Sequence, residues 1–283
     1  MSKLGTLFIV ATPIGNLDDI SKRAVAVLQS VHTIAAEDTR HSNKLLQSVQ
    51  VKTRLVSHHD FSSDQATRKL IDRLLAGDSI ALISDAGTPL ISDPGSKLVI
   101  LARTHGIPVI PIPGASAVTA ALSVAGLPTD KFVFEGFLPG KSAARQHRLD
   151  ELVLEPRTLV FYESPHRIVQ SLKDMQLAFG DDREIFIARE LTKKFESHFL
   201  GNLVESVRWL EQDNNQQRGE FVVIIAGCAE QELESRRQRQ ALELVELLRC
   251  DVSMKKAVAI ACQITGARKN QVYEAALRNA TPD

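Results

Sequence analysis

Apolar residues are spaced along the chain in two rhythms. Short unbroken runs at Leu7-Phe8-Ile9-Val10-Ala11, Thr33-Ile34-Ala35-Ala36, Leu55-Val56, Ser79-Ile80-Ala81-Leu82-Ile83 and residues 107–112 have the length of strands buried on both faces. Between them, apolar positions recur three and four residues apart. Ile20, Ala24, Val27, Leu28 and Val31 predict one helix, with Asp18 as its cap. Leu70, Ile71, Leu74 and Leu75 predict another, opened by Asp64 and stopped by Gly77. Leu98, Val99 and Ala102 mark a third, and a helix of small residues runs to about Val124. Strands alternating with helices imply a largely parallel sheet covered on both sides.

The pattern changes after Gly126-Leu127-Pro128. Strands at 132–137, 158–162, 184–188 and 221–226, with helices at 165–179 and 203–210, predict a second α/β unit with more antiparallel pairing. Residues 230–240 are charged and polar, a linker or exposed helix. Beyond them the chain reads as helical, with Leu242, Val245 and Leu248 on one face, a helix over 255–264, a turn at Thr265-Gly266-Ala267 and a helix over 268–277. Two helices around a short glycine turn resemble a helix-turn-helix. The expected organisation is an α/β domain over 1–127, a second α/β domain over 128–229 and a helical domain over 230–283.

Composition narrows the class. Hydrophobic residues make up 44% of 283, enough for sizeable cores, and 34 basic residues balance 34 acidic ones. A neutral total argues against nonspecific polyanion binding by the whole chain but leaves room for local basic patches. The three cysteines, Cys228, Cys250 and Cys262, have no CxxC spacing, which fits a reducing compartment rather than a disulfide framework or a cysteine zinc site. No apolar run approaches membrane length, and the N-terminus leads directly into a strand, so a cytoplasmic protein without membrane contact is expected.

The densest candidate chemistry is the stretch Ile83-Ser84-Asp85-Ala86-Gly87-Thr88-Pro89-Leu90-Ile91-Ser92-Asp93-Pro94-Gly95, where Ile-Ser-Asp-x-Gly occurs twice, eight residues apart. The first copy ends a strand, where open α/β sheets bind ligands, and Gly87 permits close backbone approach. The second copy predicts a helix start, with Ser92 or Asp93 as N-cap and Pro94 in the first turn. Further strand-end loops are Pro13-Ile14-Gly15-Asn16, Glu37-Asp38-Thr39-Arg40 and Pro113-Gly114-Ala115-Ser116. They should meet along one sheet edge and hold a small polar ligand by backbone groups. No two glycines are separated by a single residue, so there is no dinucleotide fingerprint, and there is neither a P-loop nor a GxSxG elbow nor an HExxH helix. His58-His59-Asp60 could be read as a metal cluster, but adjacent side chains on an extended segment face opposite ways, so no metal is expected.

Phe8-Ile9-Val10-Ala11-Thr12-Pro13-Ile14-Gly15-Asn16-Leu17, Ala35-Ala36-Glu37-Asp38-Thr39-Arg40, Ser84-Asp85-Ala86-Gly87-Thr88-Pro89 and Phe161-Tyr162-Glu163-Ser164 together resemble the tetrapyrrole methylase superfamily, and within it the branch acting on small-subunit ribosomal RNA. The resemblance covers essentially the whole chain. It implies a homodimer and a cleft between two α/β domains that holds S-adenosylmethionine. It also implies methyl transfer to the ribose 2′-hydroxyl of a cytidine in the decoding region of small-subunit rRNA. By motif it places Pro13, Gly15, Asn16, Ser84, Asp85, Ala86, Gly87, Ser116, Ala117, Glu163 and Ala188 near the cofactor, and it matches Asp38 to a proton-accepting aspartate of tetrapyrrole-making relatives. Those relatives carry an aspartate where this chain has Asn16, which weakens a tetrapyrrole substrate.

A sulfonium methyl is already electrophilic, so the enzyme's task is to align oxygen, carbon and sulfur and to accept a proton. Asp38 is the candidate acceptor and Glu37 the second. The alternative is that both are solvated carboxylates paired with Arg40. Lys141, Arg145 and Arg148 form one candidate RNA patch, and Lys255, Lys256, Arg268 and Lys269 another. The partner expected is small-subunit rRNA or the assembled 30S subunit. Rival readings are a small-molecule methyltransferase, which leaves the tail and basic stretch without a task, and a noncatalytic nucleic-acid-binding regulator, which leaves the strand-end loops unexplained.

Overall fold

The computed structural model describes residues 4–59 and 62–280. Five strands, β1 (Leu7–Val10), β2 (Thr33–Ala36), β3 (Leu55–Ser57), β4 (Ile80–Ile83) and β5 (Val109–Ile112), form a sheet in the order β3-β2-β4-β1-β5. Every pairing in it is parallel. All four residues of both β2 and β4 are buried, as their unbroken apolar runs require. Helices α1 (Lys22–Ser30) and α2 (Thr39–Ser48) cover one face, where Leu28 and Leu46 meet Val10, Ile34 and Ala36. Helices α3 (Asp64–Leu75) and α4 (Ser96–Thr104) cover the other, where Leu70, Leu74 and Leu98 meet Leu7, Ile9 and Leu82.

Several helix starts differ from the sequence reading, each for a local reason. Asn16, not Asp18, caps a short 3-10 turn at Leu17–Asp19, and Ser21 then caps α1 by accepting from Ala24 N at 3.0 Å. Helix α3 does open at Asp64, with Ser63 before it as the cap. Neither Ser92 nor Asp93 caps α4: the chain enters it through Gly95 at φ 115°, after Leu90 and Ser92 have also taken left-handed conformations, φ 76° and 63°. Helix α2, which the sequence reading missed, has few apolar positions but a strong cap in Asp38.

A second sheet is built from β6 (Phe132–Phe137), β7 (Thr158–Glu163), β8 (Glu184–Arg189), β9 (Ser197–Asn202) and β10 (Phe221–Ile225), in the order β6-β7-β10-β8-β9. β6 and β7 are parallel and the other pairs antiparallel. Helices α6 (Ser142–Leu152), α7 (Ile168–Phe179) and α8 (Leu203–Gln212) pack on one face through Leu149, Leu172, Met175 and Leu210. The other face is covered by α5 (Ala117–Val124): Val118, Ala121 and Leu122 pack on Val160, Phe186, Ala188, Val222 and Ile224. Thus the helix that follows the last strand of the first sheet is a core element of the second.

The polar segment after residue 229 is a helix. It forms the first half of α9 (Glu230–Leu248), followed by α10 (Met254–Thr265) and α11 (Lys269–Ala280). Ala241, Val245, Ala257, Val258, Ala261, Val272 and Ala276 make a small separate core. Gly266, at φ 72°, ends α10 in the left-handed conformation that such a stop favours. Among the described residues, no helix is long and apolar enough to cross a membrane. Of the histidine motif, His58 is buried with Nε2 3.3 Å from Thr67 Oγ1, and Asp60 lies outside the described residues.

Candidate functional site

The four strand-end loops of the first sheet are tied together at the turn after β4. Thr12 and Gly87 exchange both backbone hydrogen bonds, at 2.8 and 3.0 Å. Thr12 Oγ1 donates to the carbonyl of Ser84 at 3.3 Å, and the buried Ser84 donates its own hydroxyl to Ala86 O at 3.3 Å. Asp85 Oδ1 accepts from Asp38 N–H at 3.2 Å, which holds the β2 loop. Thr88 Oγ1 donates to Ala115 O at 3.2 Å, which holds the β5 loop. Gly87 sits at φ 80°, and a Cβ there would come within 3.3 Å of Ile14 Cγ2.

Beside this knot lies a cleft of about 190 Å³ between the two sheets. From the first unit it is lined by Ile14, Ala86, Gly87, Thr88, Ser116 and Ala117, and by Ile91, Ser92 and Asp93 of the second turn. From the second unit come Phe137, Tyr162, Glu163, Ala188, Leu191, Glu220, Phe221 and Val222. Of the residues the sequence pointed to, Ala86, Gly87, Ser116, Ala117, Glu163 and Ala188 therefore meet in one place. Ser84 and Asp85 stand behind the lining and brace it. Pro13 is buried, while Gly15 and Asn16 dock on the loop after β8: Asn16 N–H donates to Thr192 Oγ1 at 3.1 Å, and a Cβ on Gly15 would lie 2.9 Å from Leu191 O. These two hold the units together rather than line the cleft.

The carboxylates separate by environment. Asp38 lies outside the lining and caps α2, accepting from Arg40 N–H at 2.7 Å and His41 N–H at 3.4 Å, with the Arg40 guanidinium 3.4 Å away. The Arg40 backbone bond, then its side chain, hold its carboxyl below the usual range. Glu37 is half-buried and is not part of the lining. Asp93 faces the cleft, where burial raises its carboxyl above the usual range; the nearby Asp85 charge acts in the same direction and the Ser84 hydroxyl offsets part of it. Burial, with Asp93 adding, pushes the Tyr162 phenol to about 12. Glu163 is solvent-inaccessible; its Oε2 accepts from Ser164 N–H at 3.1 Å and Arg167 Nε at 3.0 Å. Burial raises this group even though Arg167, the Ser164 N–H and the nearby Ser171 hydroxyl all act to lower it.

The lining suits S-adenosylmethionine. Glu163 brings a buried carboxylate to the lining, α5 begins at Ser116 without a side-chain cap, and Gly87 leaves the strand-end turn open to close approach. Ile14, Leu191 and Val222 supply apolar wall for a nucleoside.

The basic candidates fare unequally. Lys141 is exposed. Arg145 is not an RNA contact: its side chain is 2% exposed, bonded to Asp174 at 2.6 Å and to the carbonyls of Pro139 and Gly140 at 3.2 and 3.3 Å. The stretch that read as a basic loop is mostly α6, and its helical phase turns position 145 into the core. Arg148 is held between Glu135 at 2.7 Å and Glu151 at 2.6 Å, which neutralises its charge locally. In the tail, Lys255, Lys256 and Lys269 are exposed, while Arg268 is paired with Glu234.

The model of the Tetrapyrrole (Corrin/Porphyrin) Methylases matches residues 6–206, and that of the RsmI C-terminal HTH domain matches 237–280. The chain belongs to the tetrapyrrole methylase family. Ribosomal RNA small subunit methyltransferase I of Pseudomonas aeruginosa is 52% identical to it over 97% of each chain. The proteins of the same name from Escherichia coli O157:H7 and Synechocystis are 47% and 44% identical, over 96% and 97% of this chain and 95% and 98% of theirs. Among solved structures, uroporphyrin-III-C-methyltransferase of Thermus thermophilus superposes with a TM-score of 0.56 at 20% identity, over 78% of this chain and 94% of that one. The methyltransferase CobJ gives 0.59 at 17%, over 80% and 95%. These likenesses show the tetrapyrrole methylase fold, and the family membership makes the protein a methyltransferase. Within that fold the sequence motifs missed Asp93, Phe137, Tyr162, Leu191, Phe221 and Val222. Asp93 was visible in the repeated turn but was read as a helix cap.

Proposed function

We propose that the protein transfers a methyl group from S-adenosylmethionine to the ribose 2′-hydroxyl of a cytidine in the decoding region of small-subunit rRNA, acting as a homodimer in the cytoplasm. The observation that carries this is the near full-length similarity to proteins named ribosomal RNA small subunit methyltransferase I, tail included. A two-domain methylase with a small-molecule substrate gives the helical tail nothing to do. The domain division we propose is the one read from the sequence, 1–127, 128–229 and 230–283, with α5 of the first segment lent to the core of the second sheet.

The cofactor supplies an electrophilic methyl, so no covalent intermediate with the protein is needed. Ala86 and Gly87 hold it by close backbone approach, the α5 N-terminus at Ser116 and Ala117 offers free N–H groups to its carboxylate, and Glu163 Oε1 accepts from one of its donors. Asp93, rather than Asp38 or Glu37, takes the proton of the ribose hydroxyl. It faces the cleft, its burial makes it the stronger base, and Asp38 is occupied as a helix cap. Tyr162 stays protonated beside it and can donate to the substrate oxygen.

The test is transfer from methyl-labelled cofactor into 30S subunits from cells lacking this protein, followed by nuclease mapping and light scattering of the enzyme. Label at a single cytidine ribose, alkali-resistant at the adjoining phosphodiester, is expected with the mass of a dimer. Label on a base, or none, overturns the proposed reaction.

A further inference from the structure

We propose that Phe137, with Arg167 above it, is a stacking platform for a nucleobase of the RNA substrate at the open end of the cleft. The inference rests on the reading of the substrate as rRNA.

Phe137 ends β6 and lines the cleft, yet the residue remains 53% exposed. A large ring left open to water inside a binding cleft costs solvation free energy unless a partner covers it. Its orientation is built in. Residues three apart on a regular strand face opposite sides, but Phe134 and Phe137 both contact Tyr162, with ring centroids 4.9 and 5.6 Å away. The register against β7 shifts between Phe134 and Gly136, so Glu135 is an extra residue, and Gly136 takes φ 65°. This bulge brings Phe137 round to the cleft side. Tyr162 then supports it at an interplanar angle of 60°.

The cation is equally fixed. Arg167 places its guanidinium carbon 5.8 Å from the Phe137 centroid. Its Nε is held at 3.0 Å by the inaccessible Glu163, and the side chain stays about a quarter exposed. Lys141, four residues beyond Phe137, is exposed too. An aromatic face next to a guanidinium and a further exposed cation is how single-stranded nucleic acid is held: the base stacks while the backbone meets positive charge. The cofactor's adenine is the other planar candidate. It has the more enclosed apolar wall of Ile14, Leu191 and Val222, whereas Phe137 is open to solvent and flanked by charges suited to phosphodiesters.

The experiment compares wild type, Phe137→Ala and Phe137→Trp. Steady-state methylation of 30S subunits is measured alongside calorimetric affinity for S-adenosylmethionine and thermal melting. Phe137→Ala should lower kcat/KM for subunits roughly ten- to hundredfold. Its cofactor affinity and melting should stay close to wild type, and Phe137→Trp should recover most of the loss. Unchanged kcat/KM in Phe137→Ala overturns the platform while leaving the reaction standing. Parallel weakening of cofactor affinity also overturns it, because the ring would then stack on the adenosyl group. Wild type that fails to methylate subunits defeats the rRNA reading itself, a result separable from both.

Discussion

Ser92 and Gly136 meet across the two units of the protein: a Cβ placed on Gly136 would lie 2.8 Å from Ser92 Oγ. Both stand in left-handed conformations, φ 63° and 65°, one in the loop that carries Asp93 and the other in the bulge that carries Phe137. Strained backbone held at a contact is a common means of positioning reactive groups. Gly136→Ala should cost roughly 1–3 kcal/mol of stability and slow methylation. Ser92→Ala should restore part of it, with a coupling of at least about 0.5 kcal/mol in a double-mutant cycle read by chemical denaturation. Strict additivity would show that the two segments do not press on each other.

Asp93 and Asp38 can be separated by charge-neutral substitution. Asp93→Asn should reduce single-turnover methylation roughly a hundredfold. Asp38→Asn should stay within a few-fold of wild type, because asparagine also caps helices. The pH profile supplies the sign. Asp93 accepts a proton only when ionised, so activity should fall as pH falls through its raised pKa. That acid limb should lie above the 3.8 of an ordinary aspartate and vanish in the residual activity of Asp93→Asn. A hundredfold loss in Asp38→Asn with a normal Asp93→Asn would return the role to Asp38.

The buried Arg145–Asp174 pair makes a stability prediction. Burial alone would raise the Asp174 carboxyl, but bonds from Arg145, Gln146 and Gln170 outweigh it and hold the group below its ordinary value. Arg145→Ala should destabilise the fold by about 3–5 kcal/mol, because it leaves an uncompensated charge in the core. Lys141→Ala, only a few residues away, should stay within about 0.5 kcal/mol of wild type and lower the salt slope of RNA binding by about one. Urea denaturation and filter binding distinguish the two; a mild Arg145→Ala would mean that the pair is solvated.

Gly87→Val should abolish cofactor binding in a folded protein. The side chain would meet Ile14 and strain a backbone at φ 80°. Normal calorimetric affinity in that variant would remove the turn after β4 from the site.

For the tail, reversal of Lys255, Lys256 and Lys269 to Glu should sharply weaken subunit methylation at physiological salt while leaving cofactor affinity and the protein's mass in solution unchanged. Arg268 is omitted because Glu234 already engages it. Normal methylation by the triple variant would leave the tail a packing element alone.

The parallel sheet was legible in the sequence because strands buried on both faces, such as β2 and β4, appear as unbroken apolar runs. The turn at Ala86 and Gly87 was legible through its glycine and its place at a strand end. Strand β9 was not, since an edge strand of Ser-His-Phe-Leu-Gly-Asn offers only two apolar residues to a pattern. Helix α2 was hidden for a similar reason: Leu45 and Leu46 are the only large apolar residues in its ten. Phe137 was obscured by the bulge, because period-two counting assigns it to the wrong face. Arg145 was misread because a charge gives no sign of a buried partner 29 residues later.

Helix α5 bears on how the chain is made and how it can be cut. It emerges from the ribosome immediately after the first sheet is complete, yet its apolar face waits for strands that follow it by some forty to a hundred residues. Until then Val118, Ala121 and Leu122 lack the sheet that buries them, with Ile14 of the first unit beside them. A fragment ending near residue 127 would carry this exposed helix, whereas one ending near 115 would not. Chimeras that exchange halves among relatives should therefore cross over before Ser116, in the loop after β5, rather than at the glycine-proline punctuation that follows the helix.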